Sequence, residues 1–334
     1  MDALPRLNRV RGRERPMMTA PGRDPRPFVR LVRQHLPSLP LRRVRPILTG
    51  WAHFVLDVND EWMLRFPRTP TGSSRLERET RLLAELEKRL PVPVPHYELQ
   101  VRTDRGRLLF AGYRKLRGRP LPARNLGRAD ARRWASDLGE TLRALLQVPR
   151  SWGRRLEVTW SEQPDGLERW RILYPKIRRR VHPLLSPRLG ALDRAYWEAY
   201  LAEAARGRVT PVLNHGDLAP EHILVKEGRI SGILDWEDAC YEDPVGNITL
   251  LPDSGGFFER VAQAYFADHD PDFRRRVRFH RHSSTAYSIL YGLETGDRGR
   301  VAKSLARYAF TLRQATSSKW VRGPAPSWLK NALG

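Results

Sequence analysis

Between Leu213 and Asp238 the chain reads LNHGDLAPEHILVKEGRISGILDWED, two short apolar runs with histidines and acids set around them. Ile223, Leu224 and Val225 form the first run and Ile230 to Leu234 the second, while Lys226, Glu227 and Gly228 between them have turn chemistry. The pattern predicts a β-hairpin. Asp217 lies in a loop before the first strand and Asp235 ends the second, so an antiparallel ladder carries both carboxylates to the same end. Two converging carboxylates suit phosphoryl transfer, which needs positioning and charge neutralisation more than covalent help: one orients the nucleophile and the other holds a metal. The competing reading is a tight turn at 215–217 whose Asp caps a backbone, followed by a strand that merely ends at Asp235.

His215, Gly216 and Asp217, the polar His222 and the later Asp235 resemble the catalytic loop and metal-binding Asp of aminoglycoside and macrolide phosphotransferases, relatives of the protein kinases. In that family the loop reads HGDxxxxN. Here the Asn is His222, and the macrolide branch is similar in carrying His at this position. The resemblance implies a catalytic base at Asp217 with His215 bracing the loop, a principal magnesium ligand at Asp235, and a possible second one at His222. Magnesium prefers hard oxygen donors, so an imidazole at 222 is also compatible with an indirect role or with lost activity.

Upstream, residues 44–66 alternate in strand fashion around turn points at Thr49–Gly50 and Asn59–Glu61, which predicts three strands. By resemblance the first turn covers nucleotide phosphates, placing Gly50, Trp51, Ala52 and His53 there, although a plain hairpin accounts for one glycine equally well. Arg65 occupies the place of the cation that pairs the α and β phosphates, where a kinase has Lys, and its guanidinium fork matches phosphate oxygens. Residues 72–90 place Leu76, Leu82, Leu83, Leu86 and Leu90 on one helical stripe with a serine cap at the start. The family's RExxxL pattern falls on Glu79 as the partner of Arg65, with Glu77 as the fallback. A proline-rich stretch at 91–95 then stops the helix. The strand from Arg107 leads to a Gly/Pro turn that looks like an interlobe hinge, where backbone near Arg114, Lys115 and Leu116 meets the purine.

The implied architecture is an α+β, protein-kinase-like two-lobed fold. It comprises a disordered Arg/Pro-rich start at 1–25, a β-rich N-lobe at 26–113, a hinge at 114–120 and a helical C-lobe at 121–334 that carries the hairpin. Helical periodicity is visible at 129–146, 194–205, 257–267 and 273–293. With 334 residues and 40% hydrophobic content the chain can bury a sizeable core. Its single cysteine, Cys240, excludes an internal disulfide and points to a reducing, cytoplasmic setting, and no apolar run reaches membrane-spanning length.

The net charge of +23, from 60 basic and 37 acidic residues, raises an alternative class, a nucleic-acid-binding protein. Basic runs at 176–180 and 274–278 favour it. The dispersion of arginines among acids, and the lack of a recognised nucleic-acid motif, favour nonspecific retention at low salt instead. The expected partners are therefore ATP or GTP with Mg2+ and a small hydroxylated acceptor, with no membrane and no specific nucleic acid. A polycationic aminoglycoside needs acids in its pocket, and Glu237, Asp238, Glu242, Asp243 and Asp297 are the candidates. The positive field and His222 tilt the expectation toward a macrolide-like, weakly charged acceptor. A kinase-like protein that binds nucleotide without turnover is the remaining alternative.

Overall fold

The alternation of apolar and polar residues from Val44 onward builds a meander of strands, as period-two patterning requires. The computed structural model describes residues 24–47, 53–104, 106–158, 168–204, 209–266 and 273–316. The start expected to be disordered lies outside them except for its last two residues. These residues form two compact units. The first holds the chain up to Thr80 together with His96–Lys115, and the second holds Arg81–Pro95 and everything from Leu116 onward.

In the first unit, helix α1 (Arg26–His35) precedes strands β1 (Val44–Ile47), β2 (His53–Val58) and β3 (Trp62–Pro67). Helix α2 (Pro70–Leu86), which runs on into the second unit, then leads toward strands β4 (Leu99–Arg102) and β5 (Leu108–Arg114). The sheet is antiparallel in the order β1-β2-β3-β5-β4. Asn59 and Asp60 turn the chain between β2 and β3 with φ of 59° and 60°, a left-handed conformation that these two residue types tolerate better than most. One face of the sheet buries Phe54, Leu56, Leu64, Phe66 and Phe110 beneath α1, with the Phe28 ring stacked on Phe54 at 4.0 Å. The other face carries His53 and Arg65, both buried. Helix α2 ends at Leu86, short of the buried Leu90 expected on its stripe, but within it the stripe is as expected, since Leu76, Leu82, Leu83 and Leu86 are all buried. Its start is not. The helix begins at Pro70, the Thr69 hydroxyl accepts from the Gly72 N–H at 3.0 Å, and Ser73 instead donates to the Leu108 carbonyl.

The second unit is mainly helical. Strand β6 (Arg119–Pro120) is followed by α3 (Arg128–Leu146), α4 (Ser151–Leu156), α5 (Glu168–Arg180) and α6 (Pro187–Ala204). Strands β7 (Val212–Asn214), β8 (Ile223–Lys226), β9 (Arg229–Ile233) and β10 (Cys240–Glu242) come next, and α7 (Phe257–Phe266), α8 (Phe273–Thr295) and α9 (Arg298–Thr316) close the order. Its strands make two small antiparallel sheets, β6-β8-β9 and β10-β7. An aromatic core of Trp170, Tyr174, Trp197, Tyr200, Phe279 and Tyr308 joins α5, α6, α8 and α9. Among the described residues no helix is long and apolar enough to cross a membrane.

One polar cluster pins these helices. Asp193 of α6, fully buried, takes hydrogen bonds from His182 at 2.8 Å, His282 at 2.6 Å and the Tyr308 hydroxyl at 2.8 Å. Burial alone would raise its pKa, but these donors outweigh burial and hold the carboxyl below its ordinary 3.8. Removing the carboxylate strands three buried donors, so Asp193→Ala should lower unfolding stability by about 3–5 kcal/mol in urea titrations. A depressed carboxyl contributes its stability above the unfolded value of 3.8, and that contribution fades as pH falls through the lower folded value. The gap between wild type and Asp193→Asn should accordingly persist from neutral pH to about 4 and narrow below it.

Candidate active site

The hairpin forms because β8 and β9 pair from Ile223↔Ile233 to Lys226↔Arg229, closed by Glu227 and Gly228 at φ of 51° and 77°. It is anchored to α3 through the buried Asp137, which accepts from the Ile230 N–H and from Arg229 Nε, each at 2.9 Å. At its open end the Leu234 N–H donates to the His222 carbonyl at 2.8 Å. This fixes the approach of the loop that carries Asp217 to the strand end that carries Asp235. His222 Nδ1–H donates to the Asp217 backbone carbonyl at 2.8 Å. Its ring stands between the two carboxylates, Nδ1 3.7 Å from Asp217 Oδ2 and Nε2 3.6 Å from Asp235 Oδ2. Asp235 itself has φ of 64°, a conformation that a non-glycine residue holds at some cost and only where its surroundings impose it.

His215 is the brace. Its Nε2–H donates to the Leu234 carbonyl at 2.8 Å and its Nδ1 accepts from the Asp217 N–H at 3.3 Å, so one imidazole links the loop to the end of β9. Burial first, and then the neighbouring His222, push its pKa down to about 4, which keeps the ring neutral and its donor and acceptor nitrogens distinct. The Trp236 ring packs on it at 4.5 Å. Asn247 accepts from the His215 N–H at 2.9 Å and donates to the Leu213 carbonyl at 3.2 Å. Gly216 has φ of 87°, and a Cβ there would collide with the Asp238 backbone carbonyl. Partial burial raises the pKa of Asp217, and the charges of Asp238 and Asp235 act in the same direction against the opposing pull of His222. Trp236 and Asn247 escaped the sequence reading. Neither carries a motif signal, and Asn247 reaches His215 from 32 residues away.

In the first unit, Arg65 and Glu79 meet. Arg65 Nη1 donates to both Glu79 oxygens at 2.8 and 2.9 Å and to the Tyr97 hydroxyl at 3.1 Å, while Nη2 donates to His53 Nδ1 at 3.2 Å. The Glu79 side chain is wholly buried, whereas the fallback Glu77 pairs with Arg102 on the surface. Gly50, Trp51 and Ala52 lie outside the described residues. Arg114 stacks over the Trp62 ring at 4.0 Å, and Lys115 is held by Asp57 at 2.7 Å, so both side chains serve the sheet. The chain passes from the first unit to the second between Lys115 and Leu116, within the segment expected to be the hinge.

The acids expected to face an acceptor divide. Glu237 and Asp238 are half-buried beside Asp235. Glu242 departs from the expectation, being buried and paired with Arg169 at 3.1 Å, and Asp243 is likewise spent on Arg276 at 2.7 Å. Neither is available to a ligand. The Asp217 and Asp235 carboxylates are hard oxygen donors of the kind magnesium takes, one or two at a time, with water and phosphate oxygens completing its shell. The imidazole of His222 suits that ion less well, and its Nδ1 bond to the loop gives it a positioning task.

A profile of the phosphotransferase enzyme family matches residues 43–280. Viomycin phosphotransferase of Streptomyces vinaceus is 28% identical over 146 residues, 42% of this chain and 49% of its own length. The Bacillus subtilis (strain 168) protein YcbJ is 39% identical over 59 residues, 17% of this chain and 16% of its own. The chain thus spans half or less of these two relatives. Among solved structures, the GDP complex of aminoglycoside 2'-phosphotransferase-IIIa superposes with a TM-score of 0.78 at 24% identity, covering 87% of this chain and 99% of that one. Macrolide 2'-phosphotransferase MphH from Brachybacterium faecium superposes with a TM-score of 0.66 at 27% identity, covering 84% and 97%.

The seating of Gly216 against Asp238 gives a direct check on this geometry. Gly216→Ala forces the 215–217 loop off the strand end, and thermal unfolding should show a loss of roughly 1–3 kcal/mol for the strained backbone. Amide exchange at Asp217 should rise with it, while the α8–α9 core keeps its protection.

Proposed function

The chain belongs to the phosphotransferase enzyme family and has its kinase-like α+β fold, and from that premise we propose that it moves the γ-phosphoryl group of ATP or GTP to a hydroxyl of a small, antibiotic-like molecule. The observation that carries this reading is the convergence of Asp217 and Asp235 on the two sides of His222. In this reading Asp217 orients the acceptor hydroxyl and takes its proton. Its pKa, raised first of all by burial, makes it a stronger base than an ordinary carboxylate. Asp235 holds magnesium, which when bound neutralises charge on the phosphate oxygens. Arg65, oriented by Glu79 and Tyr97, supplies the cation for the α and β phosphates. His215, neutral and fully engaged, positions the loop without adding charge to it.

The donor and acceptor classes rest on the relatives. A purine nucleotide is supported by the GDP complex of the aminoglycoside enzyme. An antibiotic-like acceptor is supported by the viomycin, aminoglycoside and macrolide enzymes together. One observation favours a second reading, a nucleotide-binding protein with weak or absent turnover, because position 222 holds an imidazole where the resembling loop has an amide.

A mass-spectrometric screen of aminoglycoside, macrolide and peptide antibiotics, together with hydroxylated small molecules that bear a carboxylate or phosphate, with each nucleotide tests both. A phosphorylated product is expected from at least one acceptor. Asp217→Asn should lower kcat by about 10²–10⁴-fold, the usual worth of a general base, with nucleotide-dependent thermal stabilisation kept. Undiminished turnover in that variant would remove Asp217 from the chemistry. Nucleotide binding without product, restored to turnover by His222→Asn, would establish the second reading.

A further inference from the structure

The second unit contains a cleft of about 1020 Å³ whose wall includes Pro220 and Glu221, in the turn that follows Asp217, and one face of α9. Arg300, Lys303, Arg307, Phe310 and Gln314 line it from that helix, at spacings of three and four residues that put them in one row. Its acids are largely spoken for. Asp253 is bound by Arg281 at 2.9 Å, and Arg281 also donates to the carbonyls of Thr249 and Leu251. Asp297 lies 3.5 Å from Arg300. Against these internal pairs stand the exposed Arg124, Lys303 and Arg307, with Glu221 as the remaining carboxylate of the lining. The two acids that follow β10's start, Glu242 and Asp243, are buried in pairs with Arg169 and Arg276 and add nothing to the cleft. Hydroxyls of Ser284, Thr285, Ser288, Ser304 and Thr311 complete a polar floor.

We propose that this cleft takes an acceptor carrying an anionic group, a carboxylate or a phosphate on a hydroxylated small molecule, held by Lys303 and Arg307 of α9 with Arg124. The assignment rests on the phosphotransferase reading above and narrows its acceptor. Among the described residues of the lining, an ammonium-rich acceptor would meet three exposed cations and one carboxylate without an ion pair, which is a repulsive match at close range. An oxyanion meets the reverse, and lysine and arginine on one helix face suit a carboxylate or phosphate without fixing which. The hydroxyl floor and the Phe310 face suit the uncharged remainder of such a molecule.

The test is equilibrium binding, by calorimetry at low and moderate salt, of four matched sugars: glucose, glucosamine, gluconate and glucose 6-phosphate. The anions should bind at least tenfold more tightly than glucosamine, and comparison of gluconate with glucose 6-phosphate separates the carboxylate from the phosphate. The double variant Lys303→Glu/Arg307→Glu should lose or reverse that preference while keeping its melting temperature, since both side chains are exposed. Glucosamine binding as tightly as the anions, no measurable binding of either anion, or an unchanged preference in the double variant overturns the assignment. Because binding is read without turnover, the outcome is independent of whether phosphoryl transfer occurs. A protein that phosphorylates only cationic or neutral acceptors would refute the anionic pocket and leave the phosphotransferase reading in place.

Discussion

A single neutral imidazole ties the candidate site together. His215 donates to the Leu234 carbonyl and accepts from the Asp217 N–H, so the loop with one carboxylate is referenced to the strand end with the other. The tie works only while the ring stays uncharged, because protonation would convert the Nδ1 acceptor into a donor aimed at another donor. Its complete burial makes the charged form costly and so preserves the link through the neutral range. Asn247 and Trp236 hold the ring from outside the hairpin, and Gly216 lets the loop lie directly against the Asp238 backbone. His222 then completes the arrangement by filling the space between the carboxylates it separates.

How much of this was legible in the sequence follows from distance along the chain. The hairpin was, since its strand runs and the turn at 226–228 are all local signals, whereas the one-residue register shift between Leu224 and Val225 was not. The pairing of Arg65 with Glu79 was reached through the resemblance, whose RExxxL pattern falls on Glu79, with Glu77 left open until the structure put it on Arg102. The start of α2 was misplaced by a competing cap: Thr69, one residue ahead of Pro70, offers a hydroxyl in a better position than the serines inside the helix. Asn247 could not be read, because nothing in its neighbourhood records a contact 32 residues away. The same limit explains Glu242, which looked free in sequence and is paired with Arg169, 73 residues before it.

That last case bears on the charge of the whole chain. A formal +23 suggests a surface made for polyanions, yet many arginines are structural. Arg65, Arg169 and Arg276 hold buried carboxylates, Arg229 secures the hairpin to α3, and Arg281 gathers a loop by two of its carbonyls and Asp253. Arginine suits these tasks because its planar fork satisfies two acceptors at once. What reaches a ligand is the remainder after such pairing, and in the α9 cleft that remainder is positive.

The division of labour between the two carboxylates is tested most directly by titrating Mn2+ in the presence of ATP or GTP and following its electron paramagnetic resonance signal. If Asp235 holds the metal and Asp217 serves the hydroxyl, Asp235→Asn should weaken binding at least tenfold, and Asp217→Asn should leave it within about twofold of wild type, given that one lost carboxylate ligand typically outweighs changes beyond the metal shell. Metal affinity that is unchanged in Asp235→Asn, or that falls more in Asp217→Asn, would contradict the roles assigned to them.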